Sequence, residues 1–103
     1  MTTKTGLGIK ELLANERFRI LAIAEKHEAF DVRVFGLVVR GEATSESDID
    51  FLIDYDLARI TRWFPAGLIL DLEALLNRKV DVATIKMLKE RIKARVLAEA
   101  VPL

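Results

Sequence analysis

The run Asp48-Ile49-Asp50-Phe51-Leu52-Ile53-Asp54 places Ile49, Phe51 and Ile53 at every second position, with Asp48, Asp50, Leu52 and Asp54 between them. Period two is the side-chain repeat of a strand, so this stretch predicts one face turned to a core and one carrying carboxylates. Upstream, Asp31-Val32-Arg33-Val34-Phe35 is β-branched and aromatic and stops at Gly36, a strand ending where the backbone needs unusual freedom. The intervening loop, Gly36 to Ser47, holds Gly41, Thr44, Ser45 and Ser47. Lys79-Val80-Asp81-Val82-Ala83 reads as a third short strand.

Helical signals surround these strands. From Ile9 to His27 there is no Gly or Pro, and Ile9, Leu12, Leu13, Ile20, Ile23 and Ala24 fall at i, i+3, i+4 spacings. The register weakens at Asn15-Glu16-Arg17, which predicts a short helix, a break, and a second helix from about Glu16 with Asn15 as its N-cap. Pro65 suits the first helical position, and Leu68, Ile69, Leu72, Leu75 and Leu76 then form an amphipathic stripe that Asn77 can close in the left-handed conformation. Thr84 can cap a last helix with Leu88, Ile92, Val96, Leu97 and Ala100 at helical spacing. The expected fold class is α/β (α+β): a small mixed β-sheet flanked by helices.

Composition narrows the chemistry. The 103 residues have room for a single domain, 1–103, burying somewhat over ~60% of the unfolded chain's surface. Sixteen Lys+Arg balance sixteen Asp+Glu, which excludes a nucleic-acid binder working through bulk positive charge. With no Cys and one His, disulfides, thiol catalysis and Cys- or His-rich zinc sites are out of reach. Met1 to Gly6 lead into no apolar segment and no window approaches a membrane span, so the expectation is a cytoplasmic protein without membrane contact.

Asp48, Asp50 and Asp81 each occupy strand positions that favour other residue types. Carboxylates converging on one sheet face repel and raise one another's pKa, a conflict that a divalent cation removes. Oxygen-only ligation points to Mg²⁺ or Mn²⁺, which usually completes its shell with substrate phosphates. Gly36-Leu37-Val38-Val39-Arg40-Gly41, a strand end turning through glycine, offers backbone N–H groups for such phosphates, with a helix start just after Gly36 adding its dipole. Arg40 reaches either a phosphate or a nearby carboxylate such as Glu42, Glu46 or Asp48. Asp81 in Val-Asp-Val, taken alone, also reads as a surface residue of an edge strand.

Gly36-Leu37, ten residues, then Asp48-Ile49-Asp50 resembles the signature of the DNA-polymerase-β-type nucleotidyltransferases. VRVFGLVVRGEATSESDIDFLID, with RKVDVAT and the ending EAVPL, is similar to the stand-alone minimal nucleotidyltransferases (MNT) of that superfamily. The resemblance implies a polymerase-β-like nucleotidyltransferase fold, and two Mg²⁺ ions on Asp48, Asp50 and Asp81 that bridge the triphosphate of ATP, with Asp81 assisting deprotonation of the attacking hydroxyl. Gly36, Leu37, Arg40 and Ser47 form the expected nucleotide-binding set. It further implies a partner, a HEPN-domain ribonuclease toxin that the MNT protein adenylylates on a tyrosine as antitoxin, in a homo- or hetero-oligomer and without direct nucleic-acid binding. A rival acceptor, RNA or a small-molecule hydroxyl, is disfavoured because few residues remain for a separate pocket.

The family motif is Gly-Ser, and here Leu37 stands in the serine's place. A hydrogen bond to a charged group contributes ~1.5–3 kcal/mol, so its loss predicts nucleotide handling weakened roughly ten- to over a hundredfold. Two readings fit: a slow enzyme, or a protein that neutralises its toxin by binding alone. Elsewhere, His27 reads as a helix C-terminal residue, Trp63-Phe64 as a core plug rather than an adenine platform, and Asp54 and Asp56 as a solvated strand end. Lys86, Lys89, Arg91, Lys93 and Arg95 read as a solvated helix face, and the apolar C-terminal residues as an interface in preference to a tuck against the sheet.

Overall fold

A computed structural model describes residues 6–44 and 46–103; the loop's Ser45 and the reading of Met1 to Thr5 lie outside them. Four strands form one sheet, β1 (Ala29–Phe35), β2 (Ile49–Tyr55), β3 (Val80–Thr84) and β4 (Val101–Pro102), in the spatial order β3-β2-β1-β4. β1 runs antiparallel to β2 and β4, whereas β2 and β3 are parallel, so the sheet is mixed as expected. The helices are α1 (Gly6–Asn15), α2 (Arg17–Lys26), α3 (Leu37–Arg40), α4 (Ala66–Leu76) and α5 (Glu90–Glu99), with a 3₁₀ turn at Ile85–Met87.

Helical and strand periodicities meet in one core. Ile9 and Leu13 of α1, Ile20 and Ala24 of α2, and Leu68, Leu72 and Leu76 of α4 cluster with Val32 and Val34, Ile49, Phe51 and Ile53, and Val80 and Val82. Ile49, Phe51 and Ile53 are the apolar face read from period two. Asp50 and Leu52 therefore project to the other side, where Leu52 is buried outside that cluster. Parallel β2 and β3 need a crossover, and α4 supplies it by burying its leucine stripe against the sheet. Gly67 lets α4 approach α2, since a Cβ there would stand 3.0 Å from the His27 ring.

Several local expectations need correction. Asp48 lies before β2 rather than on it, because pairing with β3 begins at Ile49. The α1–α2 break falls where predicted, but Glu16, not Asn15, is the N-cap, and it makes no side-chain cap. Pro65 sits at the N-cap of α4, one residue outside its first turn, while Asn77 closes the helix at φ 52°. Thr84 ends β3 and precedes the 3₁₀ turn; α5 starts later, at Glu90, after an extended Leu88 and Lys89. Val101 and Pro102 are exposed in their side chains yet tied to the sheet through their backbone. They add β4 to the β1 edge, with Leu103 N–H donating to the Val32 carbonyl at 3.0 Å.

Phe64 packs on the core and against the Tyr55 ring at 5.0 Å between centroids, as a plug should. Trp63 does not: it is 71% exposed. His27 caps the C-terminus of α2, and its Nε2 lies 2.7 Å from Asp71 Oδ2.

Candidate active site

β1 ends in the turn that the sequence marked. Gly36 adopts φ 79°, ψ −149°, a conformation that essentially only glycine occupies, and leads into α3, which Gly41 closes in the left-handed region. Space as well as torsion demands glycine. A Cβ on Gly36 would collide with Asp50 Oδ2, so the bare backbone lies directly against that carboxylate. Phe35 and Asp50 are cross-strand partners, which explains why the turn and the acid meet.

Asp50 and Asp81 are register partners on neighbouring parallel strands. Adjacent strands lie ~4.8 Å apart and opposed side chains share a face, so the two carboxylates project side by side. Asp81 is exposed and Asp50 half-buried. Burial, reinforced by the charges of Asp81 and Asp48, pushes the Asp50 carboxyl up to about 6, with Arg40 pulling the other way. Asp48 is exposed one residue before β2, close enough for Asp50 to feel its charge.

The loop carrying Asp48 is held by a residue that the sequence did not single out. Arg78, between α4 and β3, donates through Nη2 to the Thr44 carbonyl at 2.8 Å and to the Ser47 carbonyl. Within the loop, Ser47 Oγ accepts from Thr44 N–H at 2.9 Å, and Thr44 Oγ1 accepts from Glu46 N–H at 3.2 Å. Ser47, expected to bind nucleotide, thus spends its hydroxyl oxygen on the turn that precedes Asp48.

Arg40 pairs with carboxylates, the second of the two readings left open for it. Its Nε donates to Glu42 Oε1 at 3.0 Å and its Nη1 to Glu99 Oε1 at 2.8 Å. The other oxygen of Glu99 accepts from Gly36 N–H at 2.8 Å. Burial raises the Glu99 pKa, but hydrogen bonds from Arg40 and Gly36 outweigh it and hold the carboxyl below its ordinary value. Leu37, beside this turn, is 36% exposed.

The donor set suits a hard divalent cation: carboxylate oxygens only, one of them half-buried beside like charges that such an ion would offset. Of the three carboxylates expected together, the strand register places Asp50 beside Asp81, and Asp48 lies one residue before β2. Among the described residues, no group of three acidic or His side chains stands ready to hold a metal ion.

A sheet whose neighbouring strands present paired aspartates beside a glycine turn defines the class of site. The nucleotidyltransferase-domain family model matches residues 19–103. Protein adenylyltransferase MntA of Thermococcus cleftensis is 41% identical over 81 residues, covering 75% of this chain and 80% of that protein. A Methanocaldococcus jannaschii protein named "Putative protein adenylyltransferase" is 37% identical over 84 residues, 81% of either chain. A solved structure described as a "putative minimal nucleotidyltransferase" superposes with a TM-score of 0.79 at 41% identity, over 90% of this chain and 94% of that one. The chain belongs to the minimal nucleotidyltransferase family, with the polymerase-β-like fold, and is a nucleotidyltransferase.

Proposed function

We propose that this protein transfers AMP from ATP, with a divalent cation (Mg²⁺, or Mn²⁺), to a protein hydroxyl, a tyrosine of a cognate HEPN-type ribonuclease toxin in the cytoplasm, and so acts as antitoxin. The observation that carries the chemistry is the register pairing of Asp50 with Asp81 beside Gly36. The acceptor class rests on the relatives, one of them named protein adenylyltransferase MntA.

Asp48, Asp50 and Asp81 would hold the metal, which when bound offsets charge on the phosphates and on the attacking and leaving oxygens. The turn at Gly36 and the Arg40 guanidinium orient the polyphosphate. Asp81, exposed at the rim, accepts the proton of the incoming hydroxyl. The hydroxyl oxygen bonds to the α-phosphorus as the bond to the β-phosphate oxygen breaks, and pyrophosphate leaves with that electron pair.

Leu37 favours a second reading, neutralisation by binding alone, because no hydroxyl stands where the family motif has serine. The Asp48→Asn/Asp50→Asn double variant separates the two when incubated with toxin, labelled ATP and Mg²⁺. Under the proposal, label transfer and toxin neutralisation both disappear. Neutralisation that persists without label establishes the binder, and efficient transfer by the double variant would overturn the role given to both aspartates.

A further inference from the structure

Glu99 sits where an anion is expected to come from outside. Its two carboxylate oxygens take one donor each, Gly36 N–H at 2.8 Å and Arg40 Nη1 at 2.8 Å. These donors lie at either end of the turn, and Glu99 is 63 and 59 positions further along the chain. Two anionic oxygens accepting from an amide and a guanidinium reproduce the contacts that a phosphoryl group would make with the same donors. We infer that Glu99 is an intramolecular occupant of the polyphosphate site, displaced when a triphosphate binds, and that it thereby sets the protein's nucleotide affinity. The inference rests on the nucleotidyl-transfer reading for the identity of the incoming anion.

Three features support exchange rather than a permanent brace. Glu99 is the last residue of α5, and β4 on the β1 edge follows it at Val101, so the exchange asks only that the Glu99 side chain swing away while the helix end stays anchored to the sheet. Gly36 is buried, and its N–H without a partner would be costly; a phosphate oxygen can take over what the carboxylate releases. Arg40 keeps a second carboxylate, Glu42, at 3.0 Å, so it remains oriented when Glu99 departs. A site filled by its own side chain binds ligand with an affinity lowered by the fraction of molecules in which it is filled.

The test uses the full chain and inorganic triphosphate with magnesium, titrated calorimetrically into wild type and Glu99→Gln. Glutamine keeps the length and one oxygen for Gly36 N–H, and loses both the charge and the second acceptor that hold Arg40. Expected is binding to the variant at least about fivefold tighter than to wild type. Equal or weaker binding by a folded variant, or no binding by either protein, overturns the inference. Should Glu99→Gln fail to fold, a titration of ¹³C,¹⁵N-labelled wild type decides. The Glu99 carboxyl and Gly36 amide resonances are expected to move together as triphosphate is added, and an unmoved Glu99 carboxyl in a saturated protein overturns the inference. Displacement of Glu99 without nucleotidyl transfer supports the inference and sinks the transfer reading; transfer with Glu99 undisplaced does the reverse.

Discussion

At Gly36 the absence of one carbon decides two things: the torsion that turns β1 away from the sheet, and the approach of the backbone to Asp50. Gly36→Ala therefore meets both a disfavoured φ and a collision with Asp50 Oδ2. The expected loss is at least about 2 kcal/mol in denaturant unfolding, together with loss of divalent-cation binding. Asp50 carries the opposite balance. Its folded-state pKa, about 6, lies above the ordinary 3.8, so the folded chain holds the proton more tightly than the unfolded chain does. The stability penalty is absent below the unfolded value, grows as pH rises between the two, and is complete above about 6. Asp50→Asn without metal should accordingly stabilise the protein at pH 7.5, by on the order of 1 kcal/mol once solvent screening of a half-exposed group is allowed for. The gain should vanish near pH 4, where unfolding curves of the two proteins should coincide. Gly36 and the aspartates were legible in the sequence because each breaks a local pattern. Glu99 was not, since its partners are 63 and 59 residues away and α5 reads as an ordinary charged helix.

Among the elements, those with several turns or alternations announced themselves and the short ones did not. β2 and α4 carry repeats long enough to reveal both their type and their buried face. β4 has two residues, too few for any period, so its pairing with β1 emerges only from the fold. Asp48 was misplaced by one residue for a related reason: pattern continues through it, but β3 supplies a partner only from Ile49 onward. What fixes Asp48 is instead the Arg78 bridge to the Thr44 and Ser47 carbonyls, an interaction between side chain and backbone that leaves no periodic trace. Arg78→Met retains an apolar stem and removes both hydrogen bonds. It should lower stability by about 1–2 kcal/mol in denaturant unfolding. The same variant should weaken Mg²⁺ binding in calorimetry, because the loop then holds Asp48 less firmly.

For the molecule as a whole, the order of periodicities was sufficient for the class of fold, whereas the spatial order β3-β2-β1-β4 depends on pairings between segments far apart in the chain. The β2–α4–β3 crossover is the clearest case. It joins Asp50 to Asp81 in register, two like charges that are strangers until the third strand docks. Closing that loop is entropically slow, and here the last step also drives acid against acid. Assembly of this protein should thus be an ion-assisted event: refolding from denaturant at neutral pH, followed by Trp63 fluorescence, is expected to accelerate when millimolar magnesium replaces a chelator. A rate indifferent to the metal would mean that the two acids come together only after the barrier has been crossed. Where magnesium does accelerate refolding, the charge conflict between Asp50 and Asp81 makes newly made chains sensitive to the supply of free cation.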